Sequence, residues 1–410
     1  NSGNPTSGSS KTGAIWTDLS GQSWGPNAGS NANGVNCSLN TGARAFAYSA
    51  PSGFKALCTT NLPTPTIADG SDYFDTLLYT GTGANQSISG LGFGSAPDLV
   101  WIKRRNGAGQ HVWTDSVRGT NKQLFSSLTN AEQTSTTGIT SFNSNGFSLG
   151  TNVSPTGSTN GSGSTYAAWC WDAGSSTVSN SDGSITSSVR ASATSGFSIV
   201  SYTGSGTSND SVGHGLNAAP ELIITKNRDN STYSWRVFTT AIDGSLDRLF
   251  LDATTTKADQ TGVNVPTSSV FYVGSNLDHN KSGDNIIAYC FAPVAGYSAI
   301  GSYEGNGSSD GPFVHTGFRP AFLMWKNADG SFNWGIIDSK RDEINYMSRT
   351  LNPNTSDSQS SRSTNDAFDF LSNGFKVRAG GSNARNQNGS TFIWAAFAEN
   401  PFQANGGLAR

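Results

Sequence analysis

Short runs of alternating apolar and polar residues follow one another along most of the chain, each ended by glycine, proline or an Asn/Asp turn, and no stretch sustains helical spacing. Such runs predict β-strands joined by tight turns. The runs also repeat. PDLVWIK (Pro97 to Lys103), PELIITK (Pro220 to Lys226) and PAFLMWK (Pro320 to Lys326) hold proline and lysine at one separation. Just upstream lie Leu91-Gly92-Phe93, His214-Gly215-Leu216 and Thr316-Gly317-Phe318, preceded by LLYTGTG, IVSYTGSG and AIGSYEGNG. Downstream come Asn106-Gly107, Asp229-Asn230 and Asp329-Gly330, residues that tolerate the positive φ of hairpin turns, and then runs around Trp113, Trp235 and Trp334.

Two further landmarks follow in the same order. Asp115-Ser116-Val117-Arg118 matches Asp338-Ser339-Lys340-Arg341, with a looser Asp243 to Arg248 between them, and FNSNGF (Phe142 to Phe147) matches FLSNGF (Phe370 to Phe375). The closing runs AAWCWDAG, AYCFAP and WAAFAENP align Trp171 with Phe291 and Phe397, which places Cys170, Cys290 and Ala396 at one position. A site that takes Cys, Cys and Ala calls for a small apolar side chain, so these thiols are expected to be unpaired core filler. The fold expected is all-β: three tandem β-sandwich, jelly-roll-like units over 68–175, 196–294 and 295–402. The Ser/Asn/Gly-rich segment 176–195 is expected to form a small hairpin or a linker, 403–410 a tail, and NKQLFSSL from Asn121 a helical turn.

Composition narrows the function classes. Charged residues make up 13% and the net charge is −3, yet 10 Trp, 11 Tyr and 22 Phe supply rings enough for thin sheets to bury. That argues against disorder, and the lack of a basic stripe argues against nucleic acid; Lys103-Arg104-Arg105 is the densest basic spot. No apolar run approaches the length of a membrane span, and no signal peptide is visible. The chain opens on Asn1 rather than Met, as expected of a processed product or a piece of something longer. With Cys37, Cys58, Cys170 and Cys290 as the cysteines, cytosolic assembly with reduced thiols is the simpler expectation.

Candidate chemistry is sparse. His111, His214, His279 and His315 stand in no nucleophile or metal context. Asp115 with Arg118, and Asp338 with Arg341, suit either a polar substrate clamp or an Asp that caps a turn while Arg pairs back to it; repetition favours the second. Asp278, Asn280, Ser282 and Asp284 resemble the start of a calcium loop, but Tyr289 stands where its closing glutamate belongs. No cofactor, metal or catalytic residue is assigned, and the binding residues are left open. Sugar sites combine an exposed ring with Asn, Asp and Gly, and most Trp residues here recur at equivalent positions, as core residues do. The loops Gly157–Ser164, Asp278–Asp284 and Gly380–Gly389 match nothing in the repeat and are therefore the candidates for recognition.

Together, GF-x-P-x-LVWIK, DSVRG-x-NK-x-L, FNSNGF-x-LG, YAAWCW and FAENPF resemble repeats of tail-fibre and other virion structural proteins of marine bacteriophages, including those of cyanobacteria. The resemblance runs from Tyr73 to the C-terminus and is weakest in the middle unit. The run Phe46 to Ile67, with GFKALC and NLP, is similar to the end of a SPRY-like sandwich, so 1–67 is expected to close such a domain. The resemblance implies a non-enzymatic component of the virion, on its tail or capsid surface, that serves as a tail fibre or receptor-binding protein in host attachment. The alternatives are a capsid-bound decoration protein and a surface-glycan-binding or depolymerising protein. Implied partners are other virion proteins, further copies in a homotrimer, and a host surface glycan.

Overall fold

Four strands recur in one spatial order, three times along the chain. The computed structural model describes residues 64–401 apart from 153, 155–157 and 381–382; Cys37, Cys58, most of the SPRY-like run and the C-terminal tail lie outside the described residues. In the first unit an opening strand, Phe74–Thr80, pairs with the closing strand Thr165–Trp171; the latter pairs with the lysine strand Leu99–Arg104, and that with its hairpin partner Val112–Asp115. The second unit repeats this order with Phe197–Thr203, Asn285–Phe291, Leu222–Asn227 and Arg236–Thr239, and the third with Ser298–Glu304, Thr391–Pro401, Phe318–Asn327 and Gly335–Asp338. All pairings are antiparallel, and register is kept: Leu99 faces Trp171, Leu222 faces Phe291, and Phe322 faces Phe397. A smaller sheet covers one face of each: Gln86–Ser89, Gly146–Leu149 and Ile139–Asn143; then Asp210–Gly213 and Val270–Val273; then Phe313–His315, Gly374–Val377 and Phe368–Leu371.

The result is an all-β sandwich architecture with an additional layer of packing. In the closing strand of the first unit, Tyr166, Ala168 and Cys170 point into that unit's own sandwich, while Ala167, Trp169 and Trp171 point the other way into a second core. The same split divides Ile286, Ala288 and Cys290 from Ile287, Tyr289 and Phe291, and Phe392, Trp394 and Ala396 from Ile393, Ala395 and Phe397. Both faces of each large sheet are therefore buried, which is why the closing runs read as nearly unbroken apolar sequence instead of alternating. The second core is shared by all three units. Trp171, Phe291 and Phe397 meet there, with ring centroids 6.3, 5.6 and 5.8 Å apart pairwise, on what amounts to an internal threefold axis.

Main-chain bonds close the ring around that axis. The carbonyl two residues beyond each lysine accepts an N–H from the neighbouring unit: Arg228 from Glu132 at 2.7 Å, Arg105 from Gln359 at 2.8 Å, and Ala328 from Lys257 at 2.6 Å. Unit one thus grips unit two, two grips three, and three grips one. The segments expected as separate sandwiches therefore belong, among the described residues, to one compact unit reaching from Pro65 to Pro401. Side-by-side packing of weakly charged sandwiches thus takes place inside a single chain.

Two local expectations are decided. Of the two alternatives for segment 176–195 the structure shows the hairpin, Thr177–Asn180 with Ser187–Ser192, which extends the second large sheet beside Phe197–Thr203. Asn180 Oδ1 accepts the Asp182 N–H in its turn, Val189 enters the second sandwich core, and Arg190 pairs with Asp98 of the first unit at 2.5 Å. Likewise Lys122–Phe125 is a strand, not a helical turn, because Leu124 faces the shared core and Phe125 the first unit's own.

Removing a ring from the axis is predicted to weaken all three units at once. Phe291→Ala should cost about 3–5 kcal/mol, with urea unfolding still a single transition seen alike by Trp fluorescence and far-ultraviolet circular dichroism. A fragment of residues 196–294 alone should fail to fold cooperatively.

Candidate ligand groove

The recurring charged residues are structural locks. Asp115 caps the turn after its strand, accepting the N–H groups of Val117 and Arg118 at 3.0 and 2.8 Å, while Arg118 Nε returns to Asp115 Oδ2 at 2.5 Å. Asp338 does the same for Arg341, and all four side chains are fully buried. This is the capping arrangement, not a clamp open to substrate. Each carboxylate also accepts a donor from a neighbouring unit: Tyr289 Oη donates to Asp115 at 2.8 Å, and Trp169 Nε1 to Asp338 at 2.9 Å. Sequence reasoning missed this role. The middle unit has no counterpart. Its strand ends at Thr239 where the others carry Asp, and Asp243 lies in an exposed turn accepting from Ser245. Ala395 correspondingly stands where Trp169 and Tyr289 supply donors, and a small void of about 10 Å³ lined by Thr239, Trp334 and Ala395 remains at that seam. Carboxylate and donor are absent together.

The landmark lysines are buried as well. Lys103 Nζ donates to the carbonyls of Ser356 and Asp357 in the third unit, at 3.2 and 2.6 Å; Lys226 reaches Thr129 of the first at 2.8 Å and Tyr233 at 2.6 Å; Lys326 reaches Gly330 at 2.7 Å. Burial lowers each ammonium from 10.5 to about 8. The histidines are occupied or peripheral. His111 accepts from Trp101 Nε1, and its burial holds it well below the usual range. His214 accepts the Leu216 N–H, and His315 is the exposed last residue of a short strand. His279 lies beside Asp278 at 2.6 Å, but its other nitrogen is taken by the Gly274 N–H, so no proton relay to a nucleophile is left.

The loops chosen as recognition candidates prove to be one loop, used three times. Gly157, Gly381 and Ser382 lie outside the described residues; in the rest, Asn160, Asn280 and Asn386 occupy one buried position. Each side chain clasps its unit's glycine turn: Asn160 accepts the Thr82 N–H and donates to Ala84, Asn280 accepts that of Ser205 and donates to Thr207, and Asn386 accepts that of Asn306 and donates to Ser308. A tyrosine hydroxyl seals each loop from below, Tyr79 on Thr159, Tyr202 on His279 and Tyr303 on Arg385. The glycines are sterically required, since a Cβ at Gly81, Gly204 or Gly305 would sit 2.2–2.5 Å from a carbonyl of the facing loop. The shared Asn and the later glycine, three residues on, were the available signal. Within the calcium-like pattern, Asp278 is held by Arg236 and His279, and Asp284 by Asn227 and Lys281. No group of three or more His, Cys, Asp or Glu side chains suited to a metal occurs among the described residues. Cys170 and Cys290 are free, buried in different sandwiches, and burial raises both thiols.

With the threefold features accounted for, the departures from symmetry stand out: the second unit adds the hairpin over 177–192 and lacks the Asp–Arg lock, and the third lengthens the turn after its lock. From Arg118 to its carbonyl acceptor Lys122 is four residues, whereas from Arg341 to the matching acceptor Arg349 is eight. The extra residues carry Ile344, 81% exposed, and Tyr346, 38% exposed. Tyr346 borders an open groove of about 460 Å³ with Asp310, Thr364, Asn365, Asp369 and Arg378. The outer face of the first unit's small sheet offers only residues such as Ser87 and Ser148, hydrogen-bonded to each other; the third unit's carries Lys376, ion-paired to Asp310 at 2.6 Å, and Arg378, paired to Asp369 at 2.6 Å.

A family model described as a domain of unknown function (DUF7483) matches residues 69–401 in one span. The chain belongs to this family. No curated protein and no solved structure matches it. The DUF7483 match takes in all three units together, as their shared core requires. No helix among its described residues is long and apolar enough to cross a membrane.

Two predictions follow from the locks of the DUF7483 domain. Asp338→Ala should destabilise it by about 3–5 kcal/mol in urea titration, because Arg341 is left buried and unpaired, whereas the double change D338L/R341M should cost far less. Between pH 8 and 10 the folded lysine amines have shed protons that the unfolded ones still hold, so stability should rise with pH. Above pH 10 it should fall, since Tyr79, Tyr202 and Tyr289, raised well above 10.0 by burial, ionise only on unfolding. Urea midpoints across this range check both limbs, and K103M/K226M/K326M should flatten the first.

Proposed function

We propose that this chain is a bacteriophage virion protein, a tail fibre or receptor-binding protein that mediates host attachment by display and binding, without catalysis. One observation carries the geometric side of the reading. The charged and polar residues that recur in the units are spent inward, fastening three sandwiches into one closed body, while the third unit sets the exposed Tyr346 beside the Lys376–Asp310 and Arg378–Asp369 pairs around an open groove. A rigid body with one distinctive face suits a display module, in which binding residues are held by a scaffold and not by one another. The sequence resemblance to virion repeats of marine phages supplies the biological context.

The test is the position of the chain in an assembled particle. Antibodies raised against the purified protein should label the tail in electron micrographs and block adsorption to host cells. Labelling of the shell with adsorption intact would favour the capsid-bound decoration protein. Release of reducing ends from host polysaccharide by the purified protein, abolished by an Asp or Glu substitution, would overturn the non-enzymatic reading.

A further inference from the structure

We propose that the groove beside Tyr346 in the third unit is a binding site for a neutral saccharide. This deepens the attachment reading by naming the class of ligand that its distinctive face accepts.

Three observations converge on it. First, the residues on either side of the ring are held while the ring is exposed. Asn345 Nδ2 donates to the Phe370 carbonyl and Asn345 Oδ1 accepts the Phe370 N–H, each at 2.8 Å, so this side chain pairs with the strand as a backbone would. On the other side the Met347 N–H donates to the Phe368 carbonyl at 2.7 Å, and the Met347 side chain is buried. At the base of the insertion Asp342 Oδ2 accepts the N–H groups of Ser348 and Arg349, both at 2.7 Å. Tyr346 thus sits between two anchored residues and still reaches solvent. With the backbone on both sides of it already anchored, only the Tyr346 side chain's own rotamers are left to order when a ligand stacks on the ring. Its flat face suits the C–H bonds of a pyranose, which present an apolar patch of the same size.

Second, the groove opposes that ring with groups that match vicinal hydroxyls. Carboxylate oxygens of Asp310 and Asp369 accept, the Arg378 guanidinium donates, and Thr364 and Asn365 do both. Third, the charges cancel locally. Lys376 is tied to Asp310 and Arg378 to Asp369, so the floor offers no uncompensated cation for a phosphate, sulfate or uronate. A neutral, polyhydroxylated ligand with an apolar face is what remains. The first unit's corresponding sheet face has hydroxyls but no comparable charged pairs, so this combination of ring and paired charges distinguishes the third unit from the first.

The whole chain is titrated with neutral hexose oligosaccharides, namely maltohexaose, cellohexaose and a galacto-oligosaccharide, by saturation-transfer NMR and calorimetry. At least one should bind at millimolar concentration or below. Tyr346→Ala should weaken it by about tenfold or more with an unchanged melting curve, as expected for losing a stacking contact near 1.4 kcal/mol. Asp369→Asn should weaken it too, while Val178→Ala, on the hairpin of the second unit, should not. The proposal is overturned if none of the three sugars binds, if Tyr346→Ala binds as wild type does, or if sialylated or sulfated oligosaccharides bind better than neutral ones. Sugar binding lost in Tyr346→Ala by a protein absent from the virion would sink attachment and leave the site standing. A tail-located protein that binds no neutral sugar would do the reverse.

Discussion

Everything in this molecule depends on burying the second face of each large sheet. A two-sheet sandwich ordinarily leaves its outer faces to water, and polar side chains alternate along its strands. Here Trp171, Phe291 and Phe397, with the apolar residues spaced two apart before each, cannot be left in solvent, and three such faces cover one another around an axis. No single unit satisfies that requirement. A pair would still leave wedge-shaped openings, so the third copy completes the structure instead of merely extending it. A covalent chain supplies all three at fixed stoichiometry, which a homotrimer must gain by association at the expense of translational freedom.

Such a core constrains the polar groups around it. Strand ends and hairpin carbonyls at the seams are cut off from water and need partners. The buried lysines, the capped Asp–Arg pairs and the asparagine clasps meet that need, each reaching main-chain atoms that the fold leaves unmatched. The seam between units two and three shows the logic by omission. Thr239 replaces the aspartate and Ala395 the aromatic donor, so neither a buried charge nor a buried N–H is stranded. Losing one alone would leave the other unpaired in the interior, the costlier arrangement.

Much of this was legible in the sequence, for identifiable reasons. Proline-to-lysine spacing, hairpin turns and the Cys170, Cys290 and Ala396 equivalence are local or positional signals, and the observed register carries them through. The second buried face was written there too, in runs such as YAAWCW that never alternate, but periodicity alone does not say what covers a fully apolar strand. Lys122–Phe125 misled because a short run cannot separate strand from turn until both of its faces are known to be covered. The hairpin over 177–192 could not be told from a linker because its composition is serine-rich, with Val189 its main apolar contribution. Asn160, Asn280 and Asn386 escaped notice because their neighbours differ while their hydrogen bonds do not.

That last point reverses the usual use of a repeat in locating function. Loops that looked unique were sought as binding sites, yet in structure they were the same clasp in three wordings. Once every feature required by threefold packing is set aside, what is left is the short list that packing does not explain. The lengthened turn after Arg341 is on it: its lock to Arg349 is formed as in the first unit, so the added residues serve no seam. A protein that must bury three sheets in common has little freedom elsewhere, and an exposed tyrosine anchored on both sides stands out as a residue that the fold can hold but does not need.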